Sequence, residues 1–132
     1  MDLLLTRDSK EGERVFGTLY VNGEFACLVA ESGKLIPEGK YDMYMYIICD
    51  RYIDYDKFPW SKPYLGQIPI VAGFESAICA DGSNAGEYSD IVVVNDNGEP
   101  DENSFNLLMM EHIRPAKEAG EITKITIKTL FI

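Results

Sequence analysis

From Lys40 the chain alternates Tyr41, Met43, Met45 and Ile47 with Asp42, Tyr44, Tyr46 and Ile48, a period of two that predicts a strand with two packed faces. Pro37-Glu38-Gly39 just before it predicts a turn, since proline fixes φ and glycine accepts a positive one. Upstream, residues 3–6 predict a short apolar strand and residues 7–14 a charged loop. Two further strands, 15–21 and 24–30, flank Asn22-Gly23, the pair that a type I′ hairpin turn favours because both central residues need φ > 0. Short strands are also expected at 68–71, 76–80 and 91–95. Near the end Ile125, Ile127 and Phe131 alternate with Lys124, Thr126 and Lys128, as in a half-buried closing strand.

Only one stretch carries helical spacing. Phe105, Leu108, Met109 and Ile113 recur at three and four residues, so a core-facing helix is predicted from about Ser104. Asp101 and Glu102 would complement its dipole, and Asn103 or Ser104 would cap it. Pro115 predicts a kink or fresh turn, and Gly120 the end. His112 falls on the core-facing stripe as a partly buried structural histidine. Residues 50–66 hold Tyr52, Tyr55, Phe58, Trp60 and Tyr64 without a period, and two prolines. They predict a long ordered arm that covers an open end of the core or lines a groove, with Trp60 and Tyr64 as candidate contact residues. Together these elements predict one α+β, mainly β domain over residues 1–132: a rolled antiparallel sheet or partly closed barrel, one C-terminal helix packed on it, and a closing strand.

The chain is 132 residues long, 46% hydrophobic and 26% charged, which is ordinary for a globular domain. Its apolar runs fall far short of the ~20 residues of a membrane helix, and no basic segment followed by a long apolar run opens it. No membrane partner is therefore expected, and a cytoplasmic or virion-associated location is. Net charge is −10, and residues 63–113 contain no Lys or Arg at all. Such a field repels phosphate backbones, so no nucleic-acid partner is expected; it suits a basic partner or a divalent cation, and the partner expected is an unidentified protein or small molecule. Cys27, Cys49 and Cys79 show no CxxC spacing and share one histidine, His112, so neither a disulfide framework nor a metal site is predicted, and no cofactor. The loop NDNGEPDEN lacks the ligand spacing of a calcium loop.

The chemistry-bearing stretch is ICADGSNAGEYSDIVVV, residues 78–94. Cys79 is its one thiol, set between Glu75 and Asp81 in a segment without a cation, which opposes thiolate formation. Asp81 with Asp90 or Glu87 could share a proton for acid–base work, and the same carboxylates with Asn84 could hold a hard cation through oxygen ligands, against a plain reading as a tight surface loop whose acids face water. Asn84, Glu87 and Tyr88 are candidate ligand or partner contacts on the same loop.

In their order along the chain, several pieces resemble an uncharacterised single-domain family of phages, prophages and gut bacteria. These are Gly17-Thr18-Leu19-Tyr20-Val21-Asn22-Gly23-Glu24-Phe25, Ile36-Pro37-Glu38-Gly39-Lys40-Tyr41, Val71-Ala72-Gly73-Phe74 and Gly120-Glu121-Ile122-Thr123. The family's Pro-x-Gly-x-aromatic turn and its Ile-His … Gly-Cys pair are in turn similar to the L,D-transpeptidases, β-rich cell-wall enzymes whose cysteine attacks a peptide carbonyl with a histidine as base. This chain departs from the pattern at both positions. Ile78-Cys79 stands where the family has Ile-His, and Ser89-Asp90 where it has Gly-Cys. The resemblance thus implies a degenerate, non-catalytic member that acts as a binding or structural module. Two alternatives are a residual hydrolase or transferase centred on Cys79 or the Asp81/Asp90 carboxylates, and an acidic inhibitor of a basic protein.

Overall fold

The computed structural model describes residues 1–82 and 86–131. Its strands are β1 (Asp2–Glu11), β2 (Arg14–Val21), β3 (Glu24–Ser32), β4 (Gly39–Tyr44), β5 (Ile70–Val71), β6 (Ser76–Cys79), β7 (Ile91–Val94) and β8 (Lys124–Thr129). They are hydrogen-bonded in a closed ring of order β1-β2-β3-β7-β6-β5-β4-β8. The sheet is mixed rather than antiparallel throughout: β1 runs parallel to β8, and β6 parallel to β7. The expected mainly β domain with one late helix and a closing strand is therefore the observed one.

The Asn22-Gly23 turn forms as its chemistry requires, with φ of 49° and 85°. The charged segment 7–14, expected as a loop, is instead the tip of the β1–β2 hairpin. Its ladder runs to Glu11 opposite Arg14, with a bulge between Arg7 and Ser9. Backbone pairing to β2 decides the conformation there, and the polar side chains only show that both faces of the tip meet water. At the base of this hairpin Arg7 and Glu31 form a buried bidentate pair, Nε–Oε1 and Nη2–Oε2 both 3.0 Å. The alternation from Lys40 buries Met43 and Met45 as expected, but β4 ends at Tyr44, and Ile47 and Ile48 are about half exposed.

The helical segment is α1 (Glu102–Leu108), a π turn (Met109–Ile113) and α2 (Arg114–Glu118). It starts earlier than Ser104: Asp101 is the cap, accepting from Ser104 N at 3.2 Å and from Ser104 Oγ at 2.7 Å. Phe105, Leu108, Met109 and Ile113 are all buried in the core. The π turn precedes Pro115, whose ring would crowd the carbonyl four residues earlier in a regular helix; the wider turn makes room for it. A Schellman closure ends the segment, with Gly120 at φ 68° and Glu121 N donating to Ala116 O at 2.9 Å. His112 is half-buried, as expected. Among the described residues no helix is long and apolar enough to cross a membrane.

The arm at 50–66 folds into two 3₁₀ turns, Asp50–Tyr52 and Pro59–Tyr64; three of its aromatics close the core, while Tyr55 and Tyr64 are half-buried and Tyr64 lines a hollow of about 200 Å³. Tyr52, Phe58 and Trp60 are buried. Trp60 bridges Tyr52 (ring centroids 5.0 Å) to Phe105 of α1 (5.2 Å), so the arm and the helix share one aromatic cluster.

Candidate functional site

Short strands bring the candidate residues together. The parallel pairing of β6 with β7 sets Cys79 opposite Val92, and Asp90 lies immediately before β7. The arm supplies the remaining parts, Arg51 and Tyr52. Asp90 is almost wholly buried, and each of its oxygens has two donors. Oδ1 accepts from Arg51 Nη2 at 2.8 Å and from Ala77 N at 2.9 Å. Oδ2 accepts from Arg51 Nη1 at 2.5 Å and from the Tyr52 hydroxyl. A carboxylate offers about four lone-pair sites, and here all are used. Arg51 Nη2 also donates to the Glu75 carbonyl at 2.6 Å. The bonds to Asp90 hold the guanidinium above its ordinary pKa and so firmly charged.

Cys79 sits at the inner end of this network, 0% exposed, with its Sγ 3.7 Å from the Tyr52 hydroxyl. Burial pushes its thiol well above the ordinary value, and the Asp90 charge adds to the effect; Tyr52 and Arg51 act the other way and lose. The other cysteines behave alike. Cys27 is pushed up to about 12 by burial, and Cys49 is raised by burial despite the nearby Arg51. The nucleophile a transfer reaction would need is thus a buried neutral thiol.

Of the remaining candidates Trp60 touches this network, through the Tyr52 ring, and the others contribute no hydrogen bond to it among the described residues. Asp81 is exposed and borders a shallow hollow of about 180 Å³ with Arg14, Ser32 and Ser89. Among the described residues Asp90 accepts from Arg51, Tyr52 and Ala77 N and makes no bond to Asp81, so the expected Asp81/Asp90 carboxylate pair is not assembled. Glu87 is exposed and pairs with Lys34 at 2.9 Å, and Lys34 also lies over the Tyr88 ring at 4.6 Å. Tyr88 packs edge-on against Phe74, centroids 4.9 Å apart. Trp60 is enclosed by the aromatic cluster, which removes it from any surface contact. Tyr64 is half-buried and donates to Asn106 Oδ1 at 2.7 Å. Asn84 lies outside the described residues. Reading the sequence missed Arg51 and Tyr52. Their signal was a basic residue beside a tyrosine, in an aromatic arm that also carries Lys57 and Lys62, and nothing local ties that arm to β6 and β7.

Comparison with protein-family models, with characterised proteins and with solved structures gives no match. The geometry alone therefore carries the functional argument. Next to the network lies an open groove of about 660 Å³, which Arg51 lines together with Tyr44, Ile47, Ile48, Ile70 and Glu75.

Proposed function

We propose that this protein is a non-catalytic binding domain, a degenerate relative of the L,D-transpeptidase-like folds, in which the two positions matched to nucleophile and base have become structural. One observation carries this reading. Asp90 has every lone pair occupied by Arg51, Tyr52 and the Ala77 amide, while Cys79 is buried as a neutral thiol beneath it. A group saturated by fixed donors has no capacity to take a proton from, or bond to, a substrate atom. The resemblance drawn from the sequence motivates this reading, and the saturated network supports it by leaving neither matched position available for chemistry. A surface groove of several hundred Å³ beside the former site gives the domain a place to bind.

The test is the rate of Cys79 alkylation against pH in a Cys27→Ala/Cys49→Ala background. Expected is slow modification of the folded protein, with an apparent pKa above the usual ~8.5 of a free thiol, becoming fast in denaturant. A reactive Cys79 with an apparent pKa well below that value would overturn the reading and restore an enzyme. Turnover of peptidoglycan fragments that Cys79→Ala abolishes would do the same.

A further inference from the structure

The groove beside Arg51 has an apolar wall continuous with an exposed apolar surface. Ile47 and Ile48 are each 49% exposed, and Tyr44 46%. Beyond the groove Ile48 and Ile53 meet over Gly66, where a Cβ would lie 3.2 Å and 3.1 Å from their methyl groups. Ile53 is itself half exposed. Side chains of this kind grouped beside a concavity mark an interaction site, whereas single exposed ones are common.

The rim of this groove is acidic, and among the described lining residues none is a free cation. Asp50, Glu75 and Glu87 line it and are all exposed. Arg51 is the one basic residue among the described lining residues, and Asp90 and the Glu75 carbonyl hold its guanidinium. Lys34 meets Glu87, but that pair lies in water, where it contributes little. Since Asp90 neutralises Arg51, the groove presents negative charge around an apolar wall.

Resting on the binding-domain reading, we propose that this groove docks a short cationic segment of a partner protein, one that alternates basic and apolar side chains. The apolar side chains would cover Ile47 and Ile48, and the basic ones would meet Asp50 and Glu75. Charge complementarity selects this occupant. A second copy of the chain, at net charge −10, would bring a like-charged rim against this one, and a nucleic acid or an anionic membrane would be repelled.

The experiment titrates the full-length chain with three synthetic peptides, of alternating Lys-Leu, Lys-Ser and Glu-Leu, with heat and backbone-amide chemical shifts as readouts. The Lys-Leu peptide is expected to bind and to shift amides around Ile47, Ile48, Glu75 and Glu87. Ile47→Ser/Ile48→Ser should weaken it roughly tenfold or more, because two apolar anchors are lost at sites whose exposure leaves the fold intact. Asp50→Asn/Glu75→Gln should weaken it and flatten its salt dependence; at about 1 M salt, with a screening length of about 3 Å, wild type should lose most of that share. Equal binding of the Lys-Ser peptide, equal binding of the Glu-Leu peptide, shifts on another face, or indifference to the isoleucine substitutions would each overturn the proposal. So would self-association in sedimentation that Ile47→Ser/Ile48→Ser abolishes, since the occupant would then be a second copy. Failure of the peptide with Cys79 still inert removes this partner chemistry alone, whereas a reactive Cys79 removes the binding-domain reading itself.

Discussion

Asp90 and Arg51 stand 39 positions apart in the chain and form a bidentate, largely buried ion pair. A buried charge that loses its partner costs far more than the pair as a whole contributes. Asp90→Asn, which leaves Arg51 charged and short of an acceptor, should therefore destabilise the protein by about 3–5 kcal/mol in denaturant titrations. Arg51→Met should cost a similar amount, and the double variant markedly less than the sum. Additive losses would mean that the two side chains act independently and that the network is not the unit described. Cys79 was legible as the one thiol of its loop, and the raised direction of its pKa was expected from Glu75 and Asp81, whereas burial and then Asp90 are the main causes, with Asp81 a lesser one. Its full burial was not legible, because the residue that covers it, Tyr52, comes from the arm.

Asp101 shows how an element boundary is decided. A carboxylate that accepts from Ser104 N and Oγ satisfies an orphan amide of the first turn, so the helix begins at Glu102 rather than two residues later. Asp101→Ala should cost about 1 kcal/mol. The Ser104 hydrogen bonds also depress the Asp101 pKa. With the folded value below the unfolded one, the unfolded state binds more protons in the interval between them. The contribution is thus present above the ordinary carboxylate pKa and is lost as pH falls through the depressed one. Asp101→Asn, which can still cap, should keep most of the stability at neutral pH and show a shallower acid slope in urea titrations across pH; an unchanged slope would remove the titration argument. The apolar stripe Phe105, Leu108, Met109 and Ile113 was legible because helical spacing is a local property. The π turn was not: Pro115 forbids a regular turn but does not select among a kink, a break and a widened turn, and packing of Met109 and Ile113 makes that choice.

Over the whole molecule, the ring of strands is closed by elements far apart in sequence, and the arm is fastened to the helix through Trp60. Its indole stands between Tyr52 and Phe105, so Trp60→Ala should destabilise by about 3–5 kcal/mol through the cavity it leaves. As the one tryptophan, it should emit at short wavelength in the native state and shift to the red on unfolding. That shift should coincide with loss of far-ultraviolet dichroism, and an early red shift would mean that the arm opens before the ring does. By itself the sequence determined the mainly β class, the Asn22-Gly23 turn, the core stripes of the one helix and of the last strand, and the acidity of residues 63–113. Each follows from chemistry within a few residues: turn dihedrals, side-chain periodicity and charge. Tertiary structure alone decided the parallel β1–β8 and β6–β7 pairings, the strand at the charged hairpin tip, the Arg7–Glu31 pair and the closure of Arg51 and Tyr52 over Asp90 and Cys79. Those depend on which distant segments meet when the ring closes, and a buried charge or thiol takes its meaning from the partner that the fold brings to it.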